Sequence, residues 1–383
     1  MGERKREERD TMSGEEAVHD AVQEYYGRTL HNTGDLKTSA CCAVEPPSDT
    51  VMQALSCIPN PVLEKFYGCG NPLPEDVEGL TVLDLGCGSG RDCYVMAHLV
   101  GEGGSVIGVD MTEEQLAVAR QYADEYCTQS LGYARSNMQF LQGYIEDLSS
   151  IEGLGQGSVD LVISNCVVNL ATDKLSVLRG VHNVLRNGGE FYFSDVFADR
   201  RIPDEIRRNN TLYGECLGGA LYTNDFHAMC MKVGFLDPRI VSVTPIELSE
   251  EIEELVGNIR FVSITFRLFK LDDMEPDCED YGQVAKYLGT LPGSKFGYEL
   301  DRTHHFETGR PALVCGNTAS ILQNTRLAPH FLVIGNRDTH FGEFDCSGSS
   351  GSKGSNASAS RNSNGSGAVA EGGCCSGGGG GCC

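Results

Sequence analysis

Apolar residues along this chain follow two periods. Short apolar runs, bounded by polar residues or glycine, occur at 81–85, 105–110, 138–142, 159–164 and 190–195. Between them lie longer stretches with helical spacing, among them 112–126 and 174–185, the second stopped by Arg186-Asn-Gly-Gly189. Short bounded runs read as buried strands, and the 3.6-residue period as helices packed on them. Regular strand–helix alternation predicts a mostly parallel sheet covered on both faces. After Asp195 the alternation breaks over 197–226, an insert before the next strand at 239–244. The run 259–269 alternates around Phe261, Ile264, Phe266 and Phe269, and is expected to be the last strand, antiparallel at the sheet's edge. The predicted class is therefore α/β, with a Rossmann-like sheet of seven strands.

The flanks differ in character. Residues 1–14 are expected to be disordered. The segment 15–80 reads as helix and loop: Val18, Val22 and Tyr25 share a helical face within 15–29, Pro46-Pro47 breaks a loop over 34–50, and short helices at 51–54 and 61–67 precede the loop 68–72. The sheet domain spans 81–270. Residues 271–345 are rich in Gly, Pro and Thr, with β-like runs at 312–315 and 331–334, and read as a small β or α+β domain. Residues 346–383 become a Gly/Ser coil ending in two cysteine pairs, Cys374-Cys375 and Cys382-Cys383.

The chemistry concentrates where the first strand stops, at Asp84-Leu-Gly-Cys-Gly-Ser-Gly-Arg-Asp92. Gly86, Gly88 and Gly90 alternate, and the second strand ends in Asp110, twenty residues past Gly90. A glycine turn between strand and helix, followed by an acid at the end of the next strand, is the pattern of a nucleoside-bearing cofactor site. A dinucleotide loop reading G-x-G-x-x-G from Gly86 needs a glycine where Arg91 stands. The spacing D-x-G-x-G-x-G instead resembles motif I of class I S-adenosylmethionine methyltransferases. That cofactor carries a sulfonium and an amino-acid tail in place of a pyrophosphate, which suits nearby acids. The resemblance implies that Asp110 and Met111 face the ribose, and that Ile145 and Glu146, just after the third strand, face the adenine.

Composition narrows the partners. Thirty basic residues against 54 acidic ones give a net charge of −24, which argues against a nucleic-acid backbone as substrate. No stretch approaches the roughly 18–20 apolar residues of a membrane span. The first ten residues are charged and precede no apolar core, so no secretory leader is expected. A cytoplasmic monomer with reduced thiols follows as the expectation. Seventeen cysteines are many, and none forms a CxxC pair, which weakens zinc-ribbon and thioredoxin-like readings. His304-His305 lacks convergent metal partners in the sequence, and the run 247–254 reads as a solvated helix face.

Several cysteines sit in distinctive contexts: Leu36-Lys-Thr-Ser-Ala-Cys41, Tyr67-Gly-Cys-Gly70, Ser164-Asn-Cys-Val-Val-Asn-Leu170 and Gly214-Glu-Cys-Leu-Gly-Gly-Ala-Leu221. Cys166 follows the fourth strand, on the rim where open α/β sheets bind ligands. With the glycine loop and Gly309-Arg-Pro-Ala-Leu-Val-Cys-Gly-Asn-Thr318, these segments closely resemble arsenite S-adenosylmethionine methyltransferases from about residue 18 to 318. The resemblance implies four functional cysteines, Cys41, Cys69, Cys166 and Cys216. Cys42 leaves the first assignment open by one position, and the match to Thr38-Ser-Ala favours Cys41. Cys69, Cys166 and Cys216 are implied as ligands of trivalent arsenic, with Cys166 and Cys216 the persistent pair. Cys41 and Cys69 are implied as the pair that forms a disulfide, reopened by an external thiol such as thioredoxin or glutathione. The soft arsenic centre suits thiolates, and its lone pair attacks the donor methyl without a general base. Two alternatives remain at this point: a methyltransferase for another small molecule, quinone- or sterol-like, and a metalloid-binding thiol protein without catalysis. Cys57, Cys87, Cys93, Cys127, Cys230, Cys278 and Cys315 read as packing or surface thiols, and Cys346 has no assignment.

Overall fold

A computed structural model of the chain describes residues 18–26, 48–74 and 76–346. The helix over 18–26 (α1) and the helices Asp49–Ser56 (α2) and Asn60–Leu63 (α3) precede the sheet domain. That domain runs β1 (Thr81–Leu85), α4 (Arg91–Val100), β2 (Ser105–Asp110), α5 (Glu113–Glu125), β3 (Met138–Gln142), β4 (Val159–Asn165), α6 (Lys174–Val184) and β5 (Leu185–Ala198). The insert follows as α7 (Asp204–Arg207), α8 (Asn210–Gly214), β6 (Leu221–Tyr222) and α9 (Thr223–Val233). Then come β7 (Arg239–Pro245), α10 (Glu250–Val256) and β8 (Phe261–Phe269).

The main path of the sheet is β3-β2-β1-β4-β5-β8-β7, with β6 beside β5. Strands β1 to β5 pair in parallel, and β8 is antiparallel to both β5 and β7. The period-two alternation of each buried strand divides its side chains between two cores. Val82, Leu161 and Ile163 pack with α2, α4 and α5 on one face. Leu83, Leu85, Val162, Phe191 and Phe193 pack with α6 and α9 on the other. Both faces are thus covered, as continuous apolar strands require.

Three expectations need correction. The strand at 261–269 is antiparallel, but it lies one place in from the edge, and β7 takes the edge position. Eight of its nine residues are buried, and an edge place would leave that surface open on one side. The helix expected at 61–67 stops at Leu63. The insert is shorter than 197–226, because β5 continues to Ala198 and α9 already includes Phe226. In the acidic run, α10 exposes its glutamates but buries Ile252 and Val256.

The C-terminal block is α+β. Its strands are β9 (Glu279–Asp280), β10 (Gln283–Tyr287), β11 (Gly297–Asp301), β12 (His304–Glu307) and β13 (Pro311–Val314); after helix α11 (Gly316–Asn324) come β14 (Phe331–Ile334) and β15 (Gly342–Glu343). They form a three-stranded sheet β13-β10-β14, a hairpin β11-β12 and a two-stranded ribbon β15-β9. A buried ion cluster joins this block to the main sheet. Glu190 of β5 pairs with Arg267 of β8 at 2.5 Å and with Arg326, and Arg267 also donates to the Leu300 carbonyl at 2.9 Å. Helix α11 escaped the sequence reading because residues 316–322 are all buried, so it shows no amphipathic stripe. Its N-cap is Cys315, a residue type that gives no start signal. No described helix is long and apolar enough to cross a membrane.

Candidate functional site

The glycine loop is built as its spacing requires. Gly86, Gly88 and Gly90 have φ of +66°, +53° and +90°, a region costly for residues with a Cβ. The Gly86 and Cys87 amides both donate to the Val109 carbonyl, at 2.7 and 3.0 Å, stitching the loop to β2. The Gly88 amide donates to Asp110 Oδ2 at 2.8 Å, and the Thr112 amide to Oδ1 at 2.8 Å. Ser89 donates to the Val62 carbonyl at 2.9 Å, tying the loop to α3.

Above this loop opens a cavity, with about 940 Å³ of empty space including the open solvent at its mouth. Asp84, Gly86, Gly88, Asp110, Met111, Ile145 and Glu146 line it, together with His19, Phe66, Asp92, Asn165 and Cys166. Gly90 caps α4 behind the loop. Glu146 accepts from the Thr172 amide at 2.9 Å and pairs with His19 at 3.1 Å, so it closes α1 over the cavity. Gln23 of α1 donates to the Met111 carbonyl at 3.0 Å. His19 stacks on Tyr144 with centroids 4.7 Å apart.

The cavity floor is acidic. Burial, then the nearby Asp92 and Asp110, holds the Asp84 carboxyl well above the usual carboxylate range. Burial also raises Asp110, against the pull of its backbone donors. Cys93 Sγ donates to Asp84 at 3.2 Å. Among the described residues the hydrogen-bond partners of Asp84 and Asp110 are this thiol, the Thr112 side chain and backbone amides, with no cation. Buried carboxylates without a counter-ion fit a cationic ligand, and a sulfonium cofactor with an ammonium tail has that charge.

Two of the four implied cysteines, Cys69 and Cys166, bring their sulfurs together, and Cys216 lies beside Cys166. Cys69 Sγ, Cys166 Sγ and a carboxylate oxygen of Asp195 all lie within 4.8 Å of one another. Cys216 Sγ donates to the Cys166 carbonyl at 3.2 Å. All three cysteines are buried. Cys41 and Cys42 lie outside the described residues, as do the tail cysteines. Cys166 and Cys216 both have φ of +63°, and only Asp76 shares a positive φ among described non-glycine residues. Two cysteines held in a conformation costing roughly 1–3 kcal/mol each indicate that the surrounding fold over-determines their position.

That over-determination comes from neighbours the sequence reading passed over. Asn165 Oδ1 accepts from the Cys69 and Gly70 amides at 2.9 and 3.2 Å; its Nδ2 donates to the Gly70 carbonyl at 3.0 Å and to Asp92 at 3.1 Å. It pins the Cys69 loop to the end of β4. Ser263 of β8 donates to the Cys69 carbonyl at 2.8 Å. On the Cys216 side, Tyr25 donates to Glu215 at 2.6 Å and Tyr26 to the Gly214 carbonyl at 2.7 Å. A Cβ on Gly219 would sit 2.1 Å from the Asn169 carbonyl oxygen, so the glycines after Cys216 are there for close approach. Asp195 accepts from the Asn169 and Val196 amides at 3.0 and 2.7 Å. Burial, then Cys216, pushes its carboxyl well above the usual range. Burial also pushes the Cys69 thiol up. The one available signal was position: Asp84, Asp110, Asn165 and Asp195 all lie toward the carboxyl ends of parallel strands.

The remaining thiols divide. Cys87 and Cys93 are buried beside the loop, and burial pushes Cys87 up to about 11. His304 pairs with Asp301 at 2.8 Å and His305 with Glu299 at 2.5 Å, and neither joins a metal-ligand group among the described residues. Cys278, Cys315 and Cys346, read separately from the sequence, lie together.

Known proteins resemble the chain over most of its length. Residues 76–234 match the family described as methyltransferase domain, and residues 281–383 the family described as arsenite methyltransferase C-terminal domain. An arsenite methyltransferase of Aquipseudomonas alcaligenes is 53% identical over 86% of this chain and 95% of its own length. The Homo sapiens arsenite methyltransferase is 42% identical over 82% of each chain. The crystal structure of an arsenic(III) S-adenosylmethionine methyltransferase from Chlamydomonas reinhardtii superposes with a TM-score of 0.76 at 54% identity, covering 78% of this chain and all of that one.

Proposed function

The chain belongs to the arsenite methyltransferases, and from that premise we propose how its residues divide the work: Cys69, Cys166 and Cys216 hold trivalent arsenic, while Asp84, Gly86, Gly88, Gly90, Asp110, Met111, Ile145 and Glu146 hold the methyl donor. The observation that carries this reading is one cavity whose lining includes both the acids Asp84 and Asp110 and the thiol Cys166. S-adenosylmethionine supplies an electrophilic methyl group when bound. The acidic floor holds its positive charge, and the three thiols hold the acceptor in reach.

Arsenite needs no catalytic base to enter. Arsenous acid and three thiols exchange to three As–S bonds and three waters, and Cys69, whose thiol burial pushes up, enters as the protonated thiol. Ligation leaves arsenic one lone pair, and positioning supplies the rate gain. Transfer of a methyl cation to that lone pair oxidises arsenic to the pentavalent state. The Cys41 thiol then attacks the Cys69 sulfur and loses its proton: the As–S bond to Cys69 breaks, its electron pair returns arsenic to the trivalent state on Cys166 and Cys216, and the Cys41–Cys69 disulfide is reopened by exchange with an external dithiol or glutathione. The enzyme acts as a cytoplasmic monomer served by the thioredoxin or glutathione pool.

The test replaces each of Cys69, Cys166 and Cys216 by Ser and measures methylated arsenic alongside cofactor binding. Each variant loses about 100-fold or more in methylation with cofactor affinity unchanged. Retention of the wild-type rate by Cys166→Ser would overturn the assignment.

A further inference from the structure

The C-terminal block gathers a second set of thiols, remote in sequence and outside the methyl-transfer cavity. Cys278 lies just before β9, Cys315 caps α11, and Cys346 follows β15. Their three sulfurs all lie within 4.8 Å of one another. Backbone pairing holds two of them side by side. Strands β9 and β15 pair as Gly342 with Asp280 and Glu343 with Glu279, and the Phe344 amide donates to the Cys278 carbonyl at 2.7 Å. This ribbon brings Cys278 and Cys346 side by side over the start of α11. Cys315 Sγ accepts from the Thr318 amide at 3.4 Å and lies 3.3 Å from Thr318 Oγ1, which accepts from Arg239 at 2.9 Å.

The electrostatics are those of one thiolate with two donors. Hydrogen bonds from Cys278 and Cys346, with those of Thr318 at the helix start, hold the Cys315 thiol far below its ordinary range. Its two partners are pushed up in return, Cys278 to about 12. Cys315 is buried, while Cys278 and Cys346 are half-buried and reachable from solvent. Among the described residues no His, Asp or Glu joins the group. His304, the nearest imidazole to Thr318, is committed to Asp301 at 2.8 Å. A structural zinc site wants four ligands. Three soft thiols with no fourth ligand among the described residues suit a trigonal thiophilic centre whose fourth position is a lone pair.

We propose that Cys278, Cys315 and Cys346 form a second arsenite site, separate from methyl transfer. Arsenous acid reacts there with the Cys278 and Cys346 thiols and the Cys315 thiolate: two S–H and three As–O bonds break, three As–S bonds form, two waters and one hydroxide leave, and arsenic stays trivalent. None of these cysteines lines the cavity above the glycine loop, and none joins the group of Cys69, Cys166 and Asp195, so arsenic held here is apart from the site of methyl transfer. It clips the β9–β15 ribbon to α11 and binds whether or not Cys69, Cys166 and Cys216 are the methylation ligands.

The test uses the reduced full-length chain with Cys374, Cys375, Cys382 and Cys383 replaced by Ser, so that no tail thiol can substitute. Alkylation by N-ethylmaleimide is followed peptide by peptide with and without arsenite. Arsenite slows alkylation of Cys278 and Cys346 at least about tenfold, and still does so after Cys166→Ser and Cys216→Ser. Adding Cys315→Ser abolishes that protection and leaves the methylation rate in the parent chain unchanged, which also reports folding. Cys346→Ser, at a half-buried position, removes protection of Cys278 in the same way. Unaltered alkylation under saturating arsenite, protection that survives Cys315→Ser, or protection by zinc but not by arsenite each overturns the proposal.

Discussion

Two glycines of one loop separate conformational strain from crowding. Gly86 and Gly88 both have positive φ, so alanine at either costs roughly 1–2 kcal/mol for the left-handed conformation alone. They differ in surroundings. A Cβ on Gly86 would lie 2.3, 2.6 and 2.8 Å from Val167 Cγ1, Cγ2 and Cβ, whereas a Cβ on Gly88 would meet nothing within 4 Å. Forcing a methyl against a branched side chain adds about 1–3 kcal/mol. Gly86→Ala therefore loses about 2–5 kcal/mol and Gly88→Ala about 1–2, read by urea denaturation as lower midpoints at unchanged slope. The difference should belong to Val167. In the double variant with Val167→Ala, the Gly86→Ala loss shrinks by about 1–3 kcal/mol, a coupling expected only of touching residues. Val167 adjoins Cys166, so Gly86→Ala also weakens arsenite binding where Gly88→Ala does not. Equal losses for the two alanines, or no coupling to Val167, would refute the reasoning.

Three further outcomes follow from charge. Asp84 is raised by burial and by neighbouring acids, and a cationic cofactor favours its ionised form, so binding should expel a proton and tighten as pH rises toward the raised value; calorimetry in buffers of different ionisation enthalpy reads this, and zero proton release contradicts it. Glu190→Gln leaves Arg267 and Arg326 buried without their carboxylate and should cost about 3–5 kcal/mol in denaturant unfolding; Arg267 and Arg326 hold Glu190 below its usual range, so its contribution is present above pH ~4.3 and fades as pH falls through the lower folded value. Burial pushes Lys174 down to about 8, so between pH ~8 and ~10.4 the unfolded chain binds more protons at this site and the folded state gains stability as pH rises; Lys174→Met should remove that component from the difference between unfolding at pH 8 and pH 10, and an unchanged slope would exclude it.

The parallel part of the sheet was legible because buried strands between glycine turns and amphipathic helices leave a periodic trace. Bounds at 81–85, 105–110 and 138–142 agree with the structure to the residue. The place of β8 was not legible, because an antiparallel strand inserted between two parallel ones has the same local pattern as an edge strand. Helix α11 was hidden by burial on every side. Among site residues, the glycines and Asp110 announced themselves by spacing. Asn165 and Asp195 did not, since their work is to hold Cys69 and the segment around Asn169 in place through backbone groups that no motif records. The trio Cys278, Cys315 and Cys346 was invisible for a related reason: 37 and 31 residues apart, they meet only because a two-residue ribbon and a helix start happen to close over one another.

The three raised carboxyls give the site a common logic. Asp84, Asp110 and Asp195 stand toward the carboxyl ends of adjacent regions of one parallel sheet, and burial lifts all three. A fold selected for stability alone would replace buried unpaired acids by apolar or amide side chains. Their presence here is explained if Asp84 and Asp110 become charged against a cationic ligand in the complex and Asp195 stays neutral beside the thiols. Asp84 and Asp110 face the cavity and suit a cationic methyl donor. Asp195 faces the thiols, where its carboxyl, when protonated, leaves Cys69 and Cys166 without a competing anion. When arsenic replaces three thiol protons the local charge stays neutral, so the acid beside the sulfurs need not ionise. The cofactor end therefore changes charge on binding and the arsenic end does not, and cofactor affinity should depend on pH far more steeply than arsenite affinity in this range.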